Sequence, residues 1–282
     1  MKKQIIVSIV ALSTLLLLFW FGKTSTDTKI EAKLTEKKPE SFNIQSFIDS
    51  KRNNVSAELS KSIASYENIL AENSSKEAKI QSLTALANLY KDSLSFPEAY
   101  LYYTSSAAKL DNSEKNLTFA AQLFLSQLRG EQDELKLDWE TGEAISLFEK
   151  ALMLNPDNDD LKIGLAGCYI FGKGRNGDPQ QTMKGIQELL SVVRKDSTNM
   201  KAQLLLGIGG YVSGQYDKAI SRLLKVFEAQ PDNIEAIAFL ADTYAAKGEK
   251  VEAVKWYKIS KRLVNDDHYT KEVDARITEL EK

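Results

Sequence analysis

Few side chains in this sequence could do chemistry together. The chain contains one histidine, His268, and one cysteine, Cys168, which lie 100 residues apart. Metal sites and Ser-His-Asp triads need histidine or thiolate groups with suitable partners close by. Neither residue has such a partner in a recognisable spacing. We therefore predict no catalytic residue, no metal site and no cofactor, and we do not expect an enzyme.

The string Gly172-x-Gly174-x-x-Gly177 matches the dinucleotide-binding fingerprint. A working fingerprint follows a strand and opens a helix, whereas the pattern of residues 161–171 is helical. Lys173 and Arg175 also lack the Gly-Lys-Ser/Thr context of a phosphate-binding loop. We interpret the string as a connecting loop that ends at Asp178-Pro179.

The composition indicates a folded protein without a nucleic-acid partner. Hydrophobic residues make up 43% of the 282 residues, and 37 basic against 39 acidic side chains give a formal charge of −2. A nucleic-acid-binding surface needs a concentration of basic residues, and this near-balance offers none.

The N-terminus carries an apolar run. Residues 5–22 contain no charged side chain, and 18 helical residues span about 27 Å, close to the thickness of a bilayer core. We predict a transmembrane helix at 5–22 behind a cytoplasmic head at 1–4. The run ends in the bulky residues Phe19-Trp20-Phe21, whereas a cleavage site needs small ones. An uncleaved signal-anchor is therefore favoured over a cleaved signal peptide.

The orientation follows from the basic residues on either side of this run. Lys2 and Lys3 form a short basic head that favours export of the following chain, although lysines after the run, such as Lys23 and Lys29, favour the opposite orientation. We expect a single-pass membrane protein with its bulk outside the cytoplasm. Residues 23–45 are polar and predict a tether.

Beyond residue 80 the sequence repeats itself. Two segments share the same residue types at the same spacing. One has Leu86-Ala87-x-x-Tyr90 followed by Ala99-x-x-x-Tyr103, and the other has Leu240-Ala241-x-x-Tyr244 followed by Ala253-x-x-x-Tyr257. The tripeptide Pro-Asp-Asn also occurs twice, at 156–158 and 231–233. The pattern resembles the tetratricopeptide repeat (TPR) family, whose unit has 34 residues in two antiparallel helices. With units starting at 80, 114, 159, 200 and 234, the eighth position is always small: Ala87, Ala121, Ala166, Gly207 and Ala241. The twentieth is also small: Ala99, Ala144, Gly185, Ala219 and Ala253.

This resemblance implies an all-α solenoid of about five helical hairpins behind the membrane helix. We assign residues 46–79 to capping helices or a degenerate repeat, 80–267 to the repeat array and 268–282 to a C-terminal capping helix, since such arrays need polar caps. Unequal spacing of the starts places extra residues in the second and third units, between the helices of each unit.

In TPR folds, certain first-helix positions line a concave groove. The resemblance places polar residues at one end of this groove: Gln81, Thr84, Asn88 and Lys91. It places apolar residues in the middle, and we predict that these bind an aliphatic or aromatic side chain of a partner: Ile163, Ile170, Phe171, Leu204, Ile208, Tyr211 and Val212. The alternative is that the groove is narrow there or filled by the insertions.

The resemblance to membrane-anchored bacterial TPR proteins also implies the location and the function. It implies a single-pass protein of the bacterial inner membrane with its bulk in the periplasm. We expect a non-catalytic, membrane-anchored scaffold or adaptor that binds proteins or peptides in the cell envelope, with a chaperone-like or assembly role. Two alternatives are a self-associating envelope protein and the presentation of apocytochrome c during cytochrome c biogenesis.

Overall fold

The computed structural model describes residues 41–52, 55–175, 178–264 and 266–282. The predicted head and membrane helix, and all of the predicted tether except residues 41–45, lie outside this range. None of the helices in the described part of the chain combines the length and apolarity that a membrane span requires.

The described residues form helices and contain no strand. The helices are α1 Ile44–Lys51, α2 Ala57–Ala71, α3 Lys76–Asp92, α4 Pro97–Asp111, α5 Glu114–Gln127, α6 Glu134–Leu154, α7 Asp159–Cys168, α8 Pro179–Lys195, α9 Met200–Val212, α10 Tyr216–Ala229, α11 Ile234–Lys247, α12 Lys250–Leu263 and α13 Asp267–Leu280. A π-helical turn, Tyr169–Lys173, continues α7. The prediction of an all-α protein is confirmed.

Five helical hairpins follow one another along the chain. They are α3–α4, α5–α6, α7–α8, α9–α10 and α11–α12, and the two helices of each hairpin pack against one another. The first helices of hairpins two to five begin at Glu114, Asp159, Met200 and Ile234, at the positions given by the sequence register. The first hairpin begins earlier, at Lys76 instead of residue 80.

Asparagine residues start three of these first helices. The side chains of Asn158, Asn199 and Asn233 accept hydrogen bonds from the backbone N–H groups three residues later, at 3.2, 3.0 and 3.0 Å. Such an N-cap satisfies a backbone donor that the helix leaves free and stabilises by about 1 kcal/mol. The repeated Pro-Asp-Asn therefore ends one hairpin and, through its asparagine, begins the next.

The small residues lie where helices approach closely. Every alanine at the eighth and twentieth positions is at most 3% exposed. A Cβ added to Gly207 would lie 2.6 Å from the Leu223 side chain, and one added to Gly185 would lie 2.8 Å from the carbonyl oxygen of Ala166. Larger side chains would force the helices of a hairpin apart, which explains why these positions are small.

We expect Ala253→Leu to lower the free energy of unfolding by about 1–3 kcal/mol, because extra methylenes in a filled core force neighbouring side chains to shift. Ala253 is fully buried between α11 and α12. Ala245→Leu is the matched control, since Ala245 is only partly buried and lines an open pocket. Urea unfolding compares the two variants. Equal midpoints would contradict the register of the fifth hairpin.

The terminal helix α13 covers the end of the array. Its residues Val273 and Ile277 are buried against the core of the last hairpin, while its charged side chains are all exposed. A repeat array needs such a polar cap because its last apolar face would otherwise meet water.

The extra residues of the second and third units are mostly helical, which corrects their predicted placement between the helices. Helix α6 has 21 residues, because the second unit lengthens its N-terminal end. In the third unit, the π-helical turn lengthens α7. The two extensions contact one another at Gly172 and Thr141, since a Cβ added to Gly172 would lie 2.2 Å from Oγ1 of Thr141. Gly172 is therefore a close-packing residue of a helix and does not belong to a connecting loop.

Candidate functional site

A pocket of about 460 Å³ lies at the C-terminal end of the array. We call it the C-terminal pocket. Helices α9, α11, α12 and α13 all contribute side chains to it. Its lining residues are Tyr211, Asp242, Ala245, Ala246, Tyr257, Arg276, Glu279 and Leu280.

Hydrogen bonds around Asp242 organise this pocket. The Tyr257 hydroxyl donates to Oδ1 of Asp242, and Nη1 of Arg276 donates to the same oxygen at 2.8 Å. A second nitrogen of Arg276 donates to Glu272 at 2.9 Å. Burial and the hydrogen bond with Asp242 raise the pKa of Tyr257 to about 12. The network ties α13 to the fifth hairpin and fixes one wall of the pocket.

Tyr211 also lines the pocket. It is partly buried, and its ring lies edge-on to Phe239 with 5.7 Å between the centroids. Burial, and then the nearby Asp242 carboxylate, raise the pKa of Tyr211. The side chain thus places an aromatic group in the pocket that also packs against a neighbouring ring.

Three of the predicted groove residues are buried in a core cluster. Ile163, Ile170 and Ile208 are 7%, 1% and 0% exposed and belong to one buried cluster around α8 and α9. The π-helical turn brings Ile170 against α9, where a Cβ on Gly209 would lie 3.2 Å from its Cδ1 atom. Helix α9 is apolar on several faces, and Ile208 faces inward.

The other four predicted residues lie in different surroundings. Leu204 is partly buried between two core clusters, and Val212 is 40% exposed at the end of α9. Phe171 is partly buried beneath the guanidinium of Arg129, whose Cζ lies 3.9 Å from the ring centroid. Of the seven residues, only Tyr211 lines the C-terminal pocket.

An ion pair connects distant parts of the array. Arg129, in the turn between α5 and α6, pairs with Glu235 at the start of α11, 106 residues away in the sequence. Arg175 supports this turn, because its guanidinium donates to the carbonyl oxygens of Leu128, at 3.1 Å, and Glu131, at 2.5 Å. We call the contact of Arg129 with Phe171 and Glu235 the bridge. It joins the second hairpin to the fifth and covers Phe171.

A second pocket, of about 450 Å³, lies at the other end of the array. We call it the N-terminal pocket. Thr84, Asn88 and Lys91, which the sequence placed in the groove, are among its lining residues, together with Phe119, which is 52% exposed. The ammonium of Lys91 lies 5.4 Å from the centroid of the Tyr100 ring. The remaining lining residues are Ile80, Ala87, Thr104, Ala107, Ala108 and Asn116.

The residues that could carry other chemistry lie apart from both pockets. Cys168 is fully buried, and this burial raises the pKa of its thiol. His268 is exposed at the start of α13. In the ranges that the structure describes, no group of three or more His, Cys, Asp or Glu side chains is arranged to hold a metal ion.

Comparison with known proteins agrees with the hairpin architecture. The family model described as "Tetratricopeptide repeat" matches residues 140–175 and 213–271. A thermophilic TPR protein of Thermus thermophilus superimposes with a TM-score of 0.51 at 19% identity, over 71% of this chain and 98% of that one. The chain therefore contains tetratricopeptide repeats in the residues that the family model matches. PilW, described as a widely conserved type IV pilus biogenesis factor, shares the fold with a TM-score of 0.50 at 18% identity, over 71% of this chain and 92% of its own.

A curated relative is similar over part of its length. The "Putative cytochrome c-type biogenesis protein CcmH" of Haemophilus influenzae is 24% identical over 164 residues, which are 58% of this chain and 33% of that protein. This chain therefore spans about a third of the length of that relative.

Proposed function

We propose that this protein is a non-catalytic scaffold that holds a partner protein by a segment bound in the C-terminal pocket. TPR arrays act as surfaces for protein–protein interaction. The observation that carries the proposal is the C-terminal pocket itself, which is lined by Tyr211 and by the Asp242–Arg276 ion pair. A partner would insert an apolar or aromatic side chain beside Tyr211.

The size and composition of the pocket fit this role. A cavity of about 460 Å³ lies in the range of sites that bind small groups, and such sites combine apolar walls with a few fixed polar groups. Tyrosine and arginine are among the residues that contribute most to interface hot spots. Because Arg276 already pairs with Asp242 and Glu272, a bound segment would meet a fixed polar wall.

The bridge supports binding at the end of the array instead of its middle. A peptide lying over Phe171 would have to displace the Arg129 guanidinium, which also pairs with Glu235. The loss of an ion pair and a cation–π contact, each worth about 0.5–1 kcal/mol at partly exposed sites, disfavours that path. The C-terminal pocket needs no such displacement.

We further propose that the scaffold is held at the bacterial inner membrane by residues 5–22 and faces the periplasm. The support is the uncharged run behind a short basic head. A reporter that is active only outside the cytoplasm, fused after residue 45, is expected to be active. An inactive fusion, with an active cytoplasmic reporter at the same point, would reverse the topology.

One alternative function has an observation in its favour. The similarity to a protein named for cytochrome c-type biogenesis supports the presentation of apocytochrome c. Crosslinking in native membranes, followed by capture of the full chain and mass spectrometry, separates the proposals. Apocytochromes with a Cys-x-x-Cys-His sequence among the crosslinked proteins would favour the alternative. Crosslinks confined to this chain would favour self-association.

A further inference from the structure

Glu140 is a buried carboxyl group, and within the described part of the chain its Oε2 atom has no hydrogen-bond partner. It lies in the N-terminal extension of α6 and is only 2% exposed. Its Oε2 atom is enclosed, and no donor in the described residues reaches it. Buried polar atoms are almost always hydrogen-bonded, so an exception needs an explanation.

Ion pairs join α6 to α4 on either side of Glu140. One turn before it, Lys136 donates to Glu98 of α4 at 2.7 Å. One turn after it, Glu143 accepts from Ser105 at 2.7 Å and from Lys109 at 2.6 Å, both on α4. The second helices of the first and second hairpins are therefore held together by these pairs, and Glu140 is enclosed between them. We call this contact the α4–α6 joint.

The charges that face Glu140 are mainly negative. They are the carboxylates of Glu98 on α4 and Glu131 in the turn before α6, and the ammonium of Lys136 on α6 itself. Lys136 is shared, because it pairs with Glu98 at 2.7 Å and with Glu131 at 2.8 Å. It therefore cannot neutralise a third carboxylate, and an ionised Glu140 would be a buried charge without a partner.

We propose that Glu140 makes the α4–α6 joint pH-sensitive, so that the joint is closed while this carboxyl is protonated and loosens when it ionises. A closed joint keeps the carboxyl out of water, whereas an opened joint hydrates the carboxylate. Helix α4 also forms one wall of the N-terminal pocket through Tyr100, Thr104 and Ala107. Loosening the joint would therefore change the shape of that pocket.

The direction of the effect follows from proton linkage. Burial, and then the Glu131 carboxylate, raise the pKa of Glu140 from 4.5 to about 7. The closed joint therefore binds the proton more tightly than the opened one, and raising the pH favours opening. The effect develops between about pH 4.5 and pH 7 and levels off above the higher value.

Hydrogen exchange on the full chain tests the proposal. Between pH 5.5 and pH 8, we expect the protection factors of α4 amides to fall by about tenfold or more relative to those of α12, which serve as an internal reference. In Glu140→Leu and Glu140→Gln, the ratio of the α4 protection factors to the α12 protection factors should not depend on pH. Glu143→Gln, which removes an ion-paired carboxylate of the same joint, is the matched control and should keep the pH dependence of the wild type.

A direct titration complements the exchange measurement and does not depend on any variant folding. The side-chain carboxyl ¹³C signal of Glu140 in the wild-type protein should titrate with a midpoint near pH 7, because burial raises the pKa of this group to about 7. A midpoint below pH 5 would overturn the proposal. So would the same pH dependence of α4 protection in the wild type and in Glu140→Leu.

Discussion

Phe148→Ala is expected to lower the free energy of unfolding by about 3–5 kcal/mol, the usual cost of removing a buried ring and leaving a cavity. Phe148 is fully buried, and its ring fills the space beside Gly164, where an added Cβ would lie 2.4 Å from the ring. The ring therefore fixes the packing of α6 against the first helix of the next hairpin. Urea unfolding followed by circular dichroism measures the change.

Phe119→Ala provides the matched control within the same hairpin. Phe119 lies on α5 and is 52% exposed, so its removal should change the free energy of unfolding by less than about 0.5 kcal/mol. If both variants unfolded at the same urea concentration, the assignment of Phe148 to the inter-hairpin core would be wrong.

The second large effect concerns binding. We expect Tyr211→Ala to weaken partner binding by about 2 kcal/mol, or roughly thirtyfold in Kd, because a truncated aromatic anchor removes much of the contact energy of an interface. Affinity is measured by calorimetry with the partner that native crosslinking identifies. Circular dichroism must show that the variant keeps its helices, since Tyr211 also packs against Phe239.

Two controls make this result specific. Gln81→Ala changes an exposed side chain of α3 and should leave the affinity unchanged. Phe119→Ala alters the N-terminal pocket and should also leave the affinity for the partner unchanged. Normal binding by Tyr211→Ala, together with weak binding by Phe119→Ala, would move the site to the N-terminal pocket.

Much of the fold could be predicted because its determinants are local and repeated. Small residues such as Ala87 and Ala99 recur at fixed spacing because each hairpin needs the same close approach of its two helices. Asn158 and Asn233 recur because each first helix needs a cap. Because these requirements act over a few residues, their signatures can be recognised in a single sequence.

The candidate site was less predictable because it depends on departures from the repeat. The π-helical turn changes the side of the third hairpin that Ile170 faces. The residue types in Tyr169–Lys173 do not distinguish a π-helical turn from an α-helix, so the sequence could not predict it. The bridge from Arg129 to Glu235 spans 106 residues, and its residues follow no periodic pattern. Glu140 lies in an extension of α6 that the 34-residue unit does not contain. Such contacts emerge only when the hairpins are stacked.

The central claim is that a partner segment occupies the C-terminal pocket, and site-specific photocrosslinking tests it most directly. A photoreactive phenylalanine analogue would replace Ala245, which lines the pocket, or Val251, which is 81% exposed outside it. Both variants of the full chain would be irradiated with the purified partner. We predict a crosslinked product from position 245 that Tyr211→Ala diminishes, and little product from position 251. Equal products from the two positions, or a product from position 245 that Tyr211→Ala leaves unchanged, would contradict the account.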